Sequence, residues 1–170
     1  NDRRVKIFRN KENQGLTKSL NTLIENSSGK ILARQDSDDI SLPTRLEVQY
    51  RNLLKYQLDA CTTRAYVKNS KRSIPRYSHF LPVSFVVRFK NPFIHGTLMV
   101  KKKVLQDIGL YDENIKYAQD YKLFLDLLKK NYKIKVLKNK LYVLNMENNI
   151  STLKKEEQNY FFKKIKKENL

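Results

Sequence analysis

A mixed sheet flanked by helices, an α/β fold, is what the order of apolar segments in this chain predicts. Strand-like and helix-like segments alternate through the first half. The acidic run Asp36-Ser-Asp38-Asp39 follows directly on a short, mostly apolar strand, Lys30–Arg34, so the acids fall where a strand leaves the sheet. Ligands of open α/β sheets bind just there. Over Ala118–Lys130, Tyr121, Phe124, Leu125 and Leu128 form the apolar stripe of an amphipathic helix able to cover such a sheet.

Local chemistry accounts for each segment. Val5–Phe8 reads as a short strand and Asn10-Lys-Glu-Asn13-Gln-Gly15 as a turn-rich loop. Leu16–Glu25 reads as a helix with Leu16, Leu20, Leu23 and Ile24 on one face, stopped by Ser27-Ser-Gly29. Pro43 suits the first turn of the next helix, where its missing donor costs nothing; that helix reaches Tyr56, with Leu46, Tyr50, Leu53 and Leu54 inward. Asp59–Lys68 and Pro82–Phe89 are rich in β-branched and aromatic residues and predict strands, with Asn69–His79 a basic, mobile loop between them. Phe93–Val100 reads as a strand broken at Gly96, and Lys101–Ile108 as a helix ended by Gly109. Two short strands, Lys133–Leu137 and Leu141–Asn145, precede a basic helix, Lys154–Leu170, with Phe161, Phe162 and Ile165 on one side.

At 170 residues the chain is long enough to bury a core, and 10 Tyr and 8 Phe argue for a folded protein despite its charge. Cys61 stands alone, which rules out an intrachain disulfide and suits a reducing compartment. No apolar stretch reaches the roughly 18 residues a membrane span needs. With 35 Lys+Arg against 17 Asp+Glu, the formal charge of +18 suits phosphorylated substrates, anionic lipid or nucleic acid, or a merely basic solvated surface.

Against that background three neighbouring carboxylates are costly, because like charges raise one another's pKa. A hard divalent cation, Mn²⁺ or Mg²⁺, resolves the repulsion through oxygen ligands. Asp39 or Ser41 also suits the cap of the following helix, but capping needs one acid and not three.

The segments Asn10-Lys-Glu-Asn13-Gln-Gly15-Leu16, Leu20-Asn21 and Gly29 through Gln49, the last including Arg34, Asp36, Asp38, Asp39, Pro43 and Arg45, resemble the family-two glycosyltransferases, nucleotide-sugar-dependent enzymes of the GT-A fold. His95-Gly-Thr97-Leu-Met99, Gly109-Leu-Tyr111-Asp112-Glu113 and Ala118-Gln-Asp120-Tyr-Lys-Leu-Phe-Leu125 are similar to its later motifs. The resemblance implies that Asp36 and Asp38 hold a divalent metal on the donor's diphosphate, with Asp39, Arg34 and Asn13 in the cofactor-binding set. It implies that Asp120 is the general base in an inverting transfer. The donor would be a UDP-sugar and the acceptor a glycan or lipid-linked sugar in surface polysaccharide synthesis, at the cytoplasmic side of the cell membrane and in peripheral contact with it.

Three departures accompany the resemblance. Gln119 stands where relatives often carry an acid, and Leu144 and Met146 replace the arginine and histidine of a Tyr-Arg-x-His segment that precedes Asn149-Ile-Ser151. Roughly the whole first βαβ portion of the family is expected to lie upstream of Asn1 or to be absent, so residues 1–153 are expected to form a partial GT-A domain and 154–170 an appended helix. That predicts a truncated sheet and an incomplete nucleotide pocket.

Plainer roles remain open for several residues. Asp120 suits a helix-dipole partner, Asn10, Asn13 and Gly15 turn chemistry, His95 a buried hydrogen bond or an acceptor contact, His79 and Lys101-Lys-Lys103 solvent. The terminal helix suits an anionic membrane or plain docking. A basic nucleic-acid-binding module and an inactive transferase remnant are the competing functions; no nucleic-acid signature supports the former.

Overall fold

A computed structural model describes residues 2–147 and 154–169. Among the described residues six strands form one sheet: β1 (Ile31–Ala33), β2 (Ile40–Ser41), β3 (Ala60–Val67), β4 (Ser73–Ile74), β5 (Met99–Lys101) and β6 (Ile134–Leu144). Their order is β1-β5-β3-β6-β2, with β4 paired to β3. β3 and β6 run parallel, and all other pairs are antiparallel. Because β5 opposes both β1 and β3, the strands β1, β3 and β6 share a direction and end on one edge.

Helices α1 (Gly15–Asn26), α2 (Arg45–Lys55), α3 (Val83–Val86), α4 (Lys102–Asp107), α5 (Gln119–Lys129) and α6 (Lys155–Asn169) pack around the sheet. The two-residue period of the strands builds both faces. Ala60, Val100 and Val136 point to one side, into a core with Ile24, Val104, Leu105, Leu123, Phe124 and Leu127. Their neighbours Cys61, Met99 and Leu137 point to the other, onto Leu53 of α2. Phe93 stacks on Phe124 with centroids 4.1 Å apart.

The structure corrects several expectations. Val5–Phe8 forms no strand; Val5 and Ile7 are 66% and 75% exposed, and a lone strand without a neighbour has nowhere to place its ladder hydrogen bonds. Pro82–Phe89 holds helix α3 instead of a strand, because Val83, Val86 and Val87 repeat at helical spacing and Val83 and Val87 reach two different clusters. Phe93–Val100 becomes a 3₁₀ turn at His95–Thr97 leading into β5, with Thr97 Oγ1 bonding the Ile94 carbonyl at 2.8 Å.

The loop 69–79 is in part a hairpin, β4 pairing Ile74 with Ala65 and Ser73 with Tyr66. Lys133–Leu137 and Leu141–Asn145 join into the single strand β6. Its register against β3 steps from Thr63↔Leu137 to Arg64↔Lys140, so the expected break is a bulge.

The inward face of α2 is Arg45, Gln49 and Leu53, whereas Leu46, Tyr50 and Leu54 are about half exposed. Buried carbonyls beneath the helix need donors, and polar side chains supply them: Gln49 Nε2 donates to the Thr97 carbonyl (2.7 Å) and Arg45 Nη2 to the Arg34 carbonyl (3.0 Å). The apolar stripe of α6 is consumed by docking on α5, where Phe162 stacks on Tyr121 (4.3 Å) and Ile165 is fully buried. The expected Asn149-Ile-Ser151 ending lies outside the described residues.

Candidate active site

The acidic loop leaves β1 at the shared carboxyl edge of β1, β3 and β6 and returns as β2. Arg34 begins it. Its amide donates to the Leu98 carbonyl (2.8 Å) and its carbonyl accepts from Arg45, so both ends of the residue are pinned. Its Nη2 donates to Asp36 Oδ1 at 2.5 Å, while Nη1 is buried without a partner.

Tyr142, in β6, braces the loop from behind. Its hydroxyl accepts from the Asp36 amide and from Gln35 Nε2, both at 3.2 Å. Gly96 makes room on the other side: a Cβ there would stand 2.6 Å from the Tyr142 hydroxyl and 2.8 Å from Asp36 Oδ2. Asp39 Oδ1 accepts from the Asn145 amide (2.7 Å).

These contacts divide the three acids. Asp36 is engaged through one oxygen, Asp39 through one oxygen, and Asp38 is exposed with no hydrogen bond or ion pair among the described residues. Burial raises the Asp36 carboxyl above its ordinary value; Arg34 opposes that and Asp38 adds to it. Burial likewise raises Asp39, against the Asn145 and Tyr142 hydrogen bonds.

Asp120 stands in the first turn of α5, behind Ala118 in a left-handed conformation (φ 56°). Asn91 Nδ2 donates to its Oδ2 at 2.7 Å. Burial raises its carboxyl, opposed by the Tyr121 amide, by Arg34 and by Asn91. Arg34 is thus ion-paired with Asp36, and its charge also opposes the rise at Asp120, to which it makes no hydrogen bond or ion pair among the described residues.

His95 and Tyr111 complete the surroundings, His95 Nε2 and the Tyr111 hydroxyl lying 2.6 Å apart. Burial, with Arg34 adding, pushes His95 well below its usual value, so the imidazole is neutral at pH 7. Tyr111 is fixed in turn by Asn21, which donates to its carbonyl (2.9 Å) and accepts from its amide (3.0 Å).

Of the residues singled out from the sequence, Arg34, Asp36, Asp38, Asp39 and Asp120 are therefore gathered at one edge. Asn13 is not brought to them; it is exposed, and its Oδ1 accepts from the Gly15 amide (3.0 Å) within its own turn. Tyr142, Gly96 and Asn91 were not assigned a role from the sequence. Gly96 lay within a recognised segment; for Tyr142 and Asn91 no local pattern signals a contact made across the fold.

No group of three or more His, Cys, Asp and Glu side chains among the described residues forms a closed metal set. The donor set nevertheless fits a hard cation of the Mg²⁺ or Mn²⁺ kind, which binds through one or two carboxylates and takes its remaining ligands from substrate phosphates and water. Asp38 and the second oxygen of Asp36 are the available carboxylate ligands.

The family pattern described as glycosyl transferase family 2 matches residues 1–111. The O-antigen biosynthesis glycosyltransferase WbnJ of Escherichia coli is 35% identical over 130 residues, covering 75% of this chain and 50% of its own. Among solved structures, S. aureus TarS 1-349 in complex with UDP-GlcNAc superposes with a TM-score of 0.62 at 19% identity, over 80% of this chain and 40% of that one. The mannosyltransferase PcManGT from Pyrobaculum calidifontis, in complex with GDP-Man and Mn²⁺, gives 0.62 at 19% identity, over 87% of this chain and 41% of that one. At that identity the likeness shows a shared fold. The chain spans about half the length of the curated relatives it matches. A family pattern over residues 1–111, most of the chain, makes this protein a member of glycosyl transferase family 2.

Proposed function

We propose that this chain carries the catalytic edge of an inverting glycosyltransferase that moves a sugar from a nucleoside diphosphate, a UDP-sugar, to a glycan or lipid-linked acceptor in surface polysaccharide synthesis. The observation that carries this reading is the acidic loop at the carboxyl edge of the sheet, where Arg34 is ion-paired with Asp36 and Asp38 is left exposed without a partner among the described residues. The O-antigen role printed for WbnJ and the nucleotide sugars bound by TarS and PcManGT support the substrate class.

In this reading Asp36 and Asp38 hold a divalent cation, which supplies charge neutralisation for the departing diphosphate. Arg34 has the unpartnered Nη1 to offer the same anion, and its charge opposes the rise that burial imposes on the Asp36 carboxyl. Asp120, positioned by Asn91, accepts the proton of the attacking hydroxyl; its raised pKa brings it closer to the operating pH and improves it as a base. Neutral His95 and Tyr111 line the acceptor side without adding charge. Asn13, exposed in the loop before α1, would meet the nucleotide only away from the acidic edge. The outward lysines of α6 lie against an anionic membrane on the cytoplasmic side. No helix among the described residues is long and apolar enough to cross a membrane.

The test is transfer from UDP-sugars with the product's anomeric configuration read by NMR. Inversion that depends on Asp120 is expected; retention of configuration overturns the mechanism.

A further inference from the structure

A second charged feature lies on the same edge of the sheet and plays no part in the site just described. Beyond the register step in β3, Arg64, Lys71, Arg72 and Arg76 line a recess of ≈ 410 Å³ together with Ser73 and Tyr77. The step matters, because a bulge turns a side chain out of strict alternation. Arg64 sits at it, half-buried, its Nε donating to the Pro75 carbonyl (2.9 Å) and its Nη2 to Ser73 Oγ (3.1 Å). Those two bonds hold its guanidinium in place and leave Nη1 free of any hydrogen bond among the described residues.

None of the four cations has a carboxylate partner among the described residues. The sequence offers little choice: no Asp or Glu occurs between Asp59 and Asp107. Glu147, which reaches the hairpin, is held by Asn69 Nδ2 at 3.2 Å. Four like charges around one recess repel one another, and side chains of Arg type ordinarily find an anion. Arg64 is fixed on the strand by its two hydrogen bonds, and Lys71, Arg72 and Arg76 stand exposed around the same recess.

The recess is tied to the acidic loop through the fold. Ala65 and Ile74 of the hairpin pack on Tyr142, whose hydroxyl accepts from the amide of Asp36. The geometry points to a phosphoryl-binding site, in which Arg64, Arg72, Arg76 and Lys71 hold a phosphate or diphosphate group carried by the acceptor, beside the edge where the donor's diphosphate binds. This rests on the transferase reading. The acceptor phosphate comes either from a lipid-borne diphosphate or from a soluble phosphate-bearing glycan.

Calorimetric titration of the full chain with inorganic pyrophosphate in EDTA reads this site without any metal-held nucleotide contribution. We expect one site per chain, weakened about tenfold or more in Arg72→Glu/Arg76→Glu, with the melting temperature unchanged. Lys163→Glu/Lys164→Glu makes the same charge change on exposed positions of α6 and is expected to leave the affinity within about twofold. Arg64→Lys keeps the charge, removes the fork, and is expected to weaken binding about threefold or more.

Equal losses in the two double variants would reduce the binding to net charge and overturn the site. UDP–Mn²⁺ binding is expected to survive in Arg72→Glu/Arg76→Glu; its loss there would place the recess in the donor grip and overturn the acceptor assignment. Glycerol phosphate and an alkyl diphosphate in neutral micelles are the two source probes. The stronger competitor against pyrophosphate identifies the source, and competition by neither overturns the proposal. Binding to phosphatidylglycerol vesicles without pyrophosphate binding would make the surface a membrane contact and equally overturn it.

Discussion

Arg34 Nη2 donates to Asp36 Oδ1, and the same guanidinium buries Nη1 without a partner. A buried unpaired donor costs roughly 1–3 kcal/mol, more when charged, and persists where a ligand completes it. Arg34→Gln is therefore expected to lower UDP–Mn²⁺ affinity by about tenfold or more. Asp36 also loses the cation that opposes its burial, so its carboxyl rises further and the remaining affinity falls away at a higher pH than in the wild type. Calorimetry across the range from acid to neutral checks both effects.

Gly96 and Tyr142 form a coupled pair behind Asp36. In Gly96→Ala the new Cβ meets the Tyr142 hydroxyl and Asp36 Oδ2 at distances real Cβ atoms do not adopt, so a side chain must shift. We expect nucleotide affinity to fall about tenfold, with a destabilisation of about 1–3 kcal/mol. Tyr142→Phe in the same chain removes one of the two clashes and is expected to recover part of the stability. A double-mutant cycle in thermal melts measures the coupling; strict additivity contradicts the packing described.

Asp120→Asn keeps an acceptor for Asn91 and removes the base. Turnover is expected to fall by about 10²–10⁴, with UDP affinity retained. Because burial raises the Asp120 carboxyl, wild-type activity is lost on the acid side at a pH above the ordinary aspartate range. A pH–rate profile, with nucleotide affinity measured in parallel, tests this; unchanged turnover in the variant removes Asp120 as the base.

Asp59 is the opposite electrostatic case. Burial pushes its carboxyl up, but the Lys101 hydrogen bond (2.9 Å), the Lys133 amide (3.0 Å) and the charges of Lys101 and Lys103 outweigh it, and the net shift is downward. A depressed folded value contributes stability above the ordinary aspartate pKa and loses it as pH falls through the folded one. Asp59→Asn is accordingly expected to cost about 1 kcal/mol at neutral pH, a fall of about 2–4 °C in melting temperature, with the difference closing in strong acid. Melts at pH 7 and in strong acid provide the check.

On α1 the buried residues are Thr17, Asn21 and Ile24, with Leu16 and Leu23 exposed against expectation. The extent of α1 and the apolar stripe of α5 were legible from spacing alone. The inward face of α2 was not, because Arg45 and Gln49 are buried to satisfy carbonyls of Arg34 and Thr97, which no helical pattern reveals. Val83, Val86 and Val87 favoured a strand by composition, yet their helical spacing matched the two clusters available to them. The acidic run and Asp120 were visible through the order of motifs. The support from Tyr142 and Asn91 exists only once distant segments meet.

The cation seat is the centre of this account, and Asp38 is its free carboxylate. Calorimetry of UDP with and without Mn²⁺, on wild type and Asp38→Ala, addresses it directly. Binding that requires Mn²⁺ and is abolished by the substitution is the predicted result; metal-dependent binding undiminished in Asp38→Ala contradicts it.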